Sequence, residues 1–145
     1  MKKAFTLIEL ILVIAIIGLM GSLTVPMYQS FQVTTIRVTF CNEFIGQLHR
    51  VKLKAQSLEY DDSWSIAIGS GQNVTIFKGS DFQNRDQSKD ETIKIPTGFS
   101  VQAPANEITF SKLYGIPNIT GEILIIDSNN HSQAITINSQ GTIDY

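Results

Sequence analysis

Residues 2–26 read KKAFTLIELILVIAIIGLMGSLTVP, and from Phe5 to Val25 this stretch holds one ionisable side chain, Glu9. As a helix rising about 1.5 Å per residue, positions 5–25 reach about 31 Å, against about 30 Å for the hydrocarbon core of a bilayer. Everything after Leu58 is mixed, polar and rich in turn residues. The 145 residues therefore divide into an apolar anchor and one small head, with no second domain. The expected limits are a spanning helix over 5–25, its amphipathic continuation over 26–58, and a β-rich head over 59–145.

A removable secretory signal fits this segment poorly. Its apolar run exceeds the usual length of about 7–15 residues, and Ser22-Leu23-Thr24 is a weak small-x-small cleavage site. Lys2 and Lys3 flank the run on one side, and the next basic residue is Arg37. The positive-inside rule then keeps the N-terminus cytoplasmic and sends the head across the membrane as a single-pass protein. A plain anchor leaves Glu9 unexplained, because ionisable residues within spanning helices are costly and usually have a partner. No Lys, Arg or His lies in the segment. The natural partner is an α-amino group, which would stand beside Glu9 only if the chain were cut just upstream.

Lys2-Lys3-Ala4-Phe5-Thr6-Leu7-Ile8-Glu9-Leu10, continuing through Ile11-Leu12-Val13-Ile14-Ala15-Ile16-Ile17-Gly18, resembles the prepilin-type cleavage and methylation motif of type IV pilin-like proteins. The resemblance implies a leader of residues 1–4, cut by prepilin peptidase between Ala4 and Phe5, with N-methylation at Phe5. Alanine stands where the family usually has glycine before the scissile bond. The resemblance also gives Glu9 the family's assembly role and makes Gly18 and Pro26 the positions where the helix is loosened or kinked. It implies a bacterial inner-membrane precursor whose head is extracytoplasmic and which joins other pilin or pseudopilin subunits in a filament. That filament could serve type II secretion, a type IV pilus or DNA uptake.

Past Pro26, Val33, Ile36, Phe40, Phe44, Leu48, Val51, Ala55 and Leu58 recur every three to four residues, which predicts an amphipathic helix to about Leu58. Cys41 lies on this apolar face, and a packed thiol is expected. Turn residues then separate short strands at 65–68, 73–77, 92–95, 99–102, 107–110, 122–126, 134–137 and 142–144, the first two forming a hairpin across Gly69-Ser70-Gly71. The fold class is α+β: a long N-terminal transmembrane and amphipathic helix packed on a small antiparallel β head. The polar stretch between Gly79 and Glu91, broken by Phe82, reads as a mobile surface loop.

Trp64-Ser65-Ile66, Thr75-Ile76-Phe77-Lys78-Gly79, Ile108-Thr109-Phe110-Ser111, Gly121-Glu122-Ile123 and Ile135-Thr136-Ile137-Asn138-Ser139-Gln140-Gly141 are similar to the GspH/FimT-like minor pseudopilins. In some of those a Gly-Arg pair near the end accompanies DNA binding; here Gly141 is followed by Thr142.

Formal net charge is −2, distributed unevenly. Residues 59–145 hold five basic against eleven acidic groups, −6, while positions 37–54 hold Arg37, Arg50, Lys52 and Lys54 against Glu43, +3. A −6 head argues against nucleic acid as a partner, since phosphate binding needs clustered Lys and Arg. The lone Cys41 excludes an intramolecular disulfide. His131, set in turn composition at Ser128-Asn129-Asn130, and the neighbours Asp61-Asp62 and Asp90-Glu91 read as solvated. No metal site, cofactor site or catalytic residue is expected, and the chain reads as a structural protein and not an enzyme.

Overall fold

The computed structural model describes residues 5–69 and 71–145, without the side chains of residues 23–26. Two compact units emerge, residues 1–35 and 36–145. In the first, helix α1 (Leu7–Gln56) begins; from Ile36 onward α1 belongs to the second unit, the head.

Within the head, Phe40, Phe44, Leu48, Val51 and Ala55 repeat every three to four residues along α1, and all are buried. That spacing places them on one helix face, which is the face the β structure covers. Cys41 is buried beside them, and burial pushes its thiol up from its ordinary value against the opposing pull of the Arg37 charge. The two ends of the expected stripe differ. Ile36 is 37% exposed, and α1 stops at Gln56, so that Leu58 lies beyond it and is 39% exposed. The chain leaves the helix through left-handed residues: Leu58, Tyr60 and Asp61 all have φ near +57° to +58°.

The strands are β1 (Trp64–Ile68), β2 (Asn73–Lys78), β3 (Glu91–Lys94), β4 (Ser100–Gln102), β5 (Glu107–Phe110), β6 (Gly121–Ile126), β7 (Ser132–Ile137) and β8 (Ile143–Asp144). They form two antiparallel sheets of four, ordered β3-β2-β1-β5 and β4-β6-β7-β8. Alternation is clean in β5, where Ile108 and Phe110 are buried, and in β7, where Ile135 and Ile137 are. Strand β1 departs from it, being buried along its whole length. Its two polar-face positions explain why. Ala67 is small, and Ser65 is satisfied internally, its hydroxyl bonded to the Gly79 carbonyl and to Thr109 Oγ1.

The polar excursion between β2 and β3 is more built than its composition suggested. Asp81 accepts from the Gln83 amide and from Asn84 Nδ2, and Asp86 accepts from the amide and hydroxyl of Ser88, capping a short 3-10 turn at Gln87–Lys89. Such Asx turns let side chains replace missing backbone partners. Arg85 pairs with Asp90 at 2.8 Å and lies over the Phe82 ring at 3.6 Å, while Phe82 meets Phe77 edge-on at 5.4 Å.

Two glycines mark close approaches between loops and helix. Gly141 has φ +71°, and a Cβ there would stand 2.7 Å from the Gly115 carbonyl oxygen; Gly115 has φ +63°, with the Gln56 Cγ 2.8 Å from its own Cβ position. Gly141→Ala is expected to cost about 1–3 kcal/mol, from left-handed strain plus a backbone clash that cannot relax by a rotamer change. Chemical denaturation of the head would measure it.

Candidate functional site

The segment singled out by sequence is the start of α1. Thr6 stands just before the helix, and its amide and hydroxyl both donate to Glu9 Oε2, each at 2.9 Å; the Glu9 amide reaches back to Thr6 Oγ1 at 3.4 Å. This is a reciprocal capping box, which satisfies amides that the first helical turn leaves without carbonyl partners. The expectation that Glu9 has no partner of its own in the segment is thereby corrected. The signal was legible as Thr6-Leu7-Ile8-Glu9, the Ser/Thr-x-x-Glu pattern ahead of an apolar run. Thr6 is nonetheless a neutral donor. Among the described residues, Glu9 forms no ion pair, so its hydrogen bonds are met while its charge is not.

Around this carboxylate the helix is bare. Phe5, Leu7, Ile8, Leu10, Ile11 and Leu12 are exposed, as are the apolar residues that follow as far as Met20. Burying one large aliphatic or aromatic side chain is worth about 1.5–3 kcal/mol. A run of them uncovered by its own chain requires lipid or other helices. By length and composition, α1 is the one helix among the described residues that could cross a membrane. Gly18 lies on α1 with open space where a Cβ would be. The helical assignment also continues through position 26, where the side chain of Pro26 lies outside the described residues, as does Ala4.

The basic residues of the neck are absorbed by the head. Arg50 pairs with Glu91 at 2.6 Å, Lys54 bridges Glu59 and Glu91 at 3.0 and 3.1 Å while lying over the Trp64 ring, and Lys52 donates to the Gly141 carbonyl at 2.8 Å. Each cation faces a partner within its own chain, which leaves no open stripe for phosphates. The acidic neighbours are likewise divided among separate partners: Asp61 with Lys112, Asp62 with Lys78, Asp90 with Arg85.

The most deeply placed ion pair was not foreseen. Arg37 Nη1 meets Asp127 Oδ2 at 2.5 Å, and the Asp127 side chain is 0% exposed. Its other oxygen accepts the amides of Asn129 and His131, so one carboxylate closes the β6–β7 turn and fastens it to α1. Burial raises the Asp127 pKa, but the His131 and Asn129 amides and the Arg37 charge outweigh it and hold the carboxyl below its ordinary value. His131 is exposed, with Nδ1 3.5 Å from Asp127 Oδ2. No group of three or more His, Cys, Asp or Glu able to hold a metal occurs among the described residues.

Residues 1–25 match a family model described as the prokaryotic N-terminal methylation motif. No curated protein and no solved structure matches the chain. The match covers the positions of Ala4, Phe5, Glu9 and Gly18 and supports a type IV pilin-like chain; it does not extend to the head, where the GspH/FimT-like resemblance lies.

Proposed function

We propose that this protein is a structural minor pilin or pseudopilin, made as a membrane precursor, cut by prepilin peptidase between Ala4 and Phe5, N-methylated at Phe5, and drawn into a filament by packing of α1. The observation that carries the proposal is the chemistry at Glu9: a carboxylate hydrogen-bonded by a neutral cap and without an ion pair among the described residues, four positions after Phe5, on a stretch of α1 whose apolar side chains as far as Met20 are exposed. Cleavage would create an α-amino group at Phe5, cationic at neutral pH with an ordinary pKa of about 7.7–8.0. Supplied by a neighbouring subunit, that group would neutralise Glu9 and set the stagger between helices. An unpaired charge in apolar surroundings is costly, so a pair completed only in the filament favours assembly.

The head is extracytoplasmic in this proposal, with its neck cations committed internally, and nucleic acid is not its partner. The membership of the head in the GspH/FimT-like group, and the kink roles of Gly18 and Pro26, belong to the same proposal. Mass spectrometry of the N-terminus of the membrane-extracted protein tests it.

A further inference from the structure

Where the ends of β1, β2 and β5 approach β4, the head carries a groove of about 670 Å³. Its polar residues are Asn73, Thr75, Gln102, Asn106 and Glu107, its apolar floor includes Ala67, and Phe82 stands in its wall. We propose that this groove binds a neutral saccharide of about disaccharide size.

The polar side chains are unspent: none of those of Asn73, Thr75, Gln102, Asn106 or Glu107 hydrogen-bonds to another part of the chain among the described residues, and Glu107 forms no ion pair. Asn118 and Asn138, by contrast, spend their Oδ1 atoms within the head, on the Thr109 amide and on the Gln140 and Thr142 amides. The groove residues are also held on rigid elements. Ala67 pairs with Glu107 and with Thr75 in the sheet, Gln102 pairs with Leu124, and the Asn106 carbonyl accepts the Ile68 amide at 2.7 Å. Pre-positioned donors and acceptors lose little freedom when a ligand arrives.

The chemistry of the lining then selects the ligand. No Lys, Arg or His lines the groove among the described residues, and its one charge is the Glu107 carboxylate, which disfavours phosphates, carboxylates and acidic sugars. Planar amides and a carboxylate offer paired acceptors and donors that match adjacent hydroxyls on a sugar ring. Phe82, fixed by Arg85 and Phe77, supplies an aromatic surface of the kind that takes the C–H face of such a ring. The volume is within the range of about 300–1,000 Å³ usual for small-molecule sites. An extended peptide would need a sheet edge to add to, and the two edges at the groove are short: β4 has three residues, and β5 has four, of which Thr109 and Phe110 are already bonded to the segment at Pro117 and Asn118.

The test uses the full chain in a detergent without a sugar headgroup, titrated separately with maltose, cellobiose and N,N′-diacetylchitobiose and followed by saturation-transfer NMR. Saturable transfer from the protein to at least one of these is expected, with affinity falling about tenfold or more in Gln102→Ala and in Asn106→Ala at unchanged melting temperature. Asp144→Ala, exposed on β8 at the far edge of the other sheet, should leave the titration unchanged. Silence from all three disaccharides, binding indifferent to both groove substitutions, or binding of a neutral hexapeptide with the sugars silent would each overturn the proposal. Because the titration needs no assembly, its failure leaves filament incorporation untouched, and the reverse holds equally.

Discussion

Glu9→Ala is expected to insert in the membrane like the parent and to enter filaments about tenfold less or worse, read as the ratio of sheared filament to membrane-bound subunit. The capping box makes a second variant more informative. Glutamine also serves at the third position of such a box, so Glu9→Gln keeps a hydrogen bond from Thr6 and loses the charge. If Glu9 acts through the α-amino group of a neighbour, Gln should be nearly as defective as Ala. Near-normal incorporation of Glu9→Gln beside a defective Glu9→Ala would reduce Glu9 to a helix cap.

The Arg37–Asp127 pair should dominate the stability of the head. Removing one partner of a buried ion pair strands the other, which is far more damaging than losing an exposed pair. Arg37→Ala is expected to lower the melting temperature of the head by roughly 10 °C or more, whereas Arg50→Ala, whose side chain is 52% exposed in its pair with Glu91, should shift it by no more than about 3 °C. Acid adds a signature. Because Asp127 is held below its ordinary value of 3.8, its contribution is fully present above that pH and is lost as pH falls toward its native value. Asp61, Asp81 and Asp86 are held down as well, by Lys112, by the Gln83 amide and by the Ser88 hydroxyl, but they are surface groups with smaller effects. Without Arg37, Asp127 takes up its proton at higher pH, so the acid transition should begin earlier. Circular dichroism melts of parent and variant between pH 3 and 7 would check this, and coincident pH profiles would rule out the pair as their origin.

Local signals carried most of the secondary structure. Turn residues bracketed all eight strands to within two residues at each end, and the three-to-four spacing from Phe40 to Ala55 named the buried face of α1. What local signals could not carry was pairing. Strand β5 joins β1 across an intervening β2, β3 and β4, and β4 crosses to a separate sheet beside β6, so the antiparallel β head divides into two sheets, a division that the strand pattern alone left open. Arg37 and Asp127 lie 90 positions apart, and nothing near either marks the other. Leu58 was misplaced because apolar periodicity ran on past the point where left-handed residues end the helix. At the N-terminus the signal was local: Thr6-Leu7-Ile8-Glu9 is a capping pattern, and its donor is a neutral group where the carboxylate's charge had pointed to a cation.

The processing of the N-terminus bears most directly on all of this. Intact-mass and N-terminal peptide mass spectrometry of the protein extracted from membranes that contain a prepilin peptidase should find a chain beginning at Phe5, with a methyl group on its α-nitrogen. A mature chain retaining Met1 through Ala4 would carry no α-amino group at Phe5 and would contradict the filament proposal.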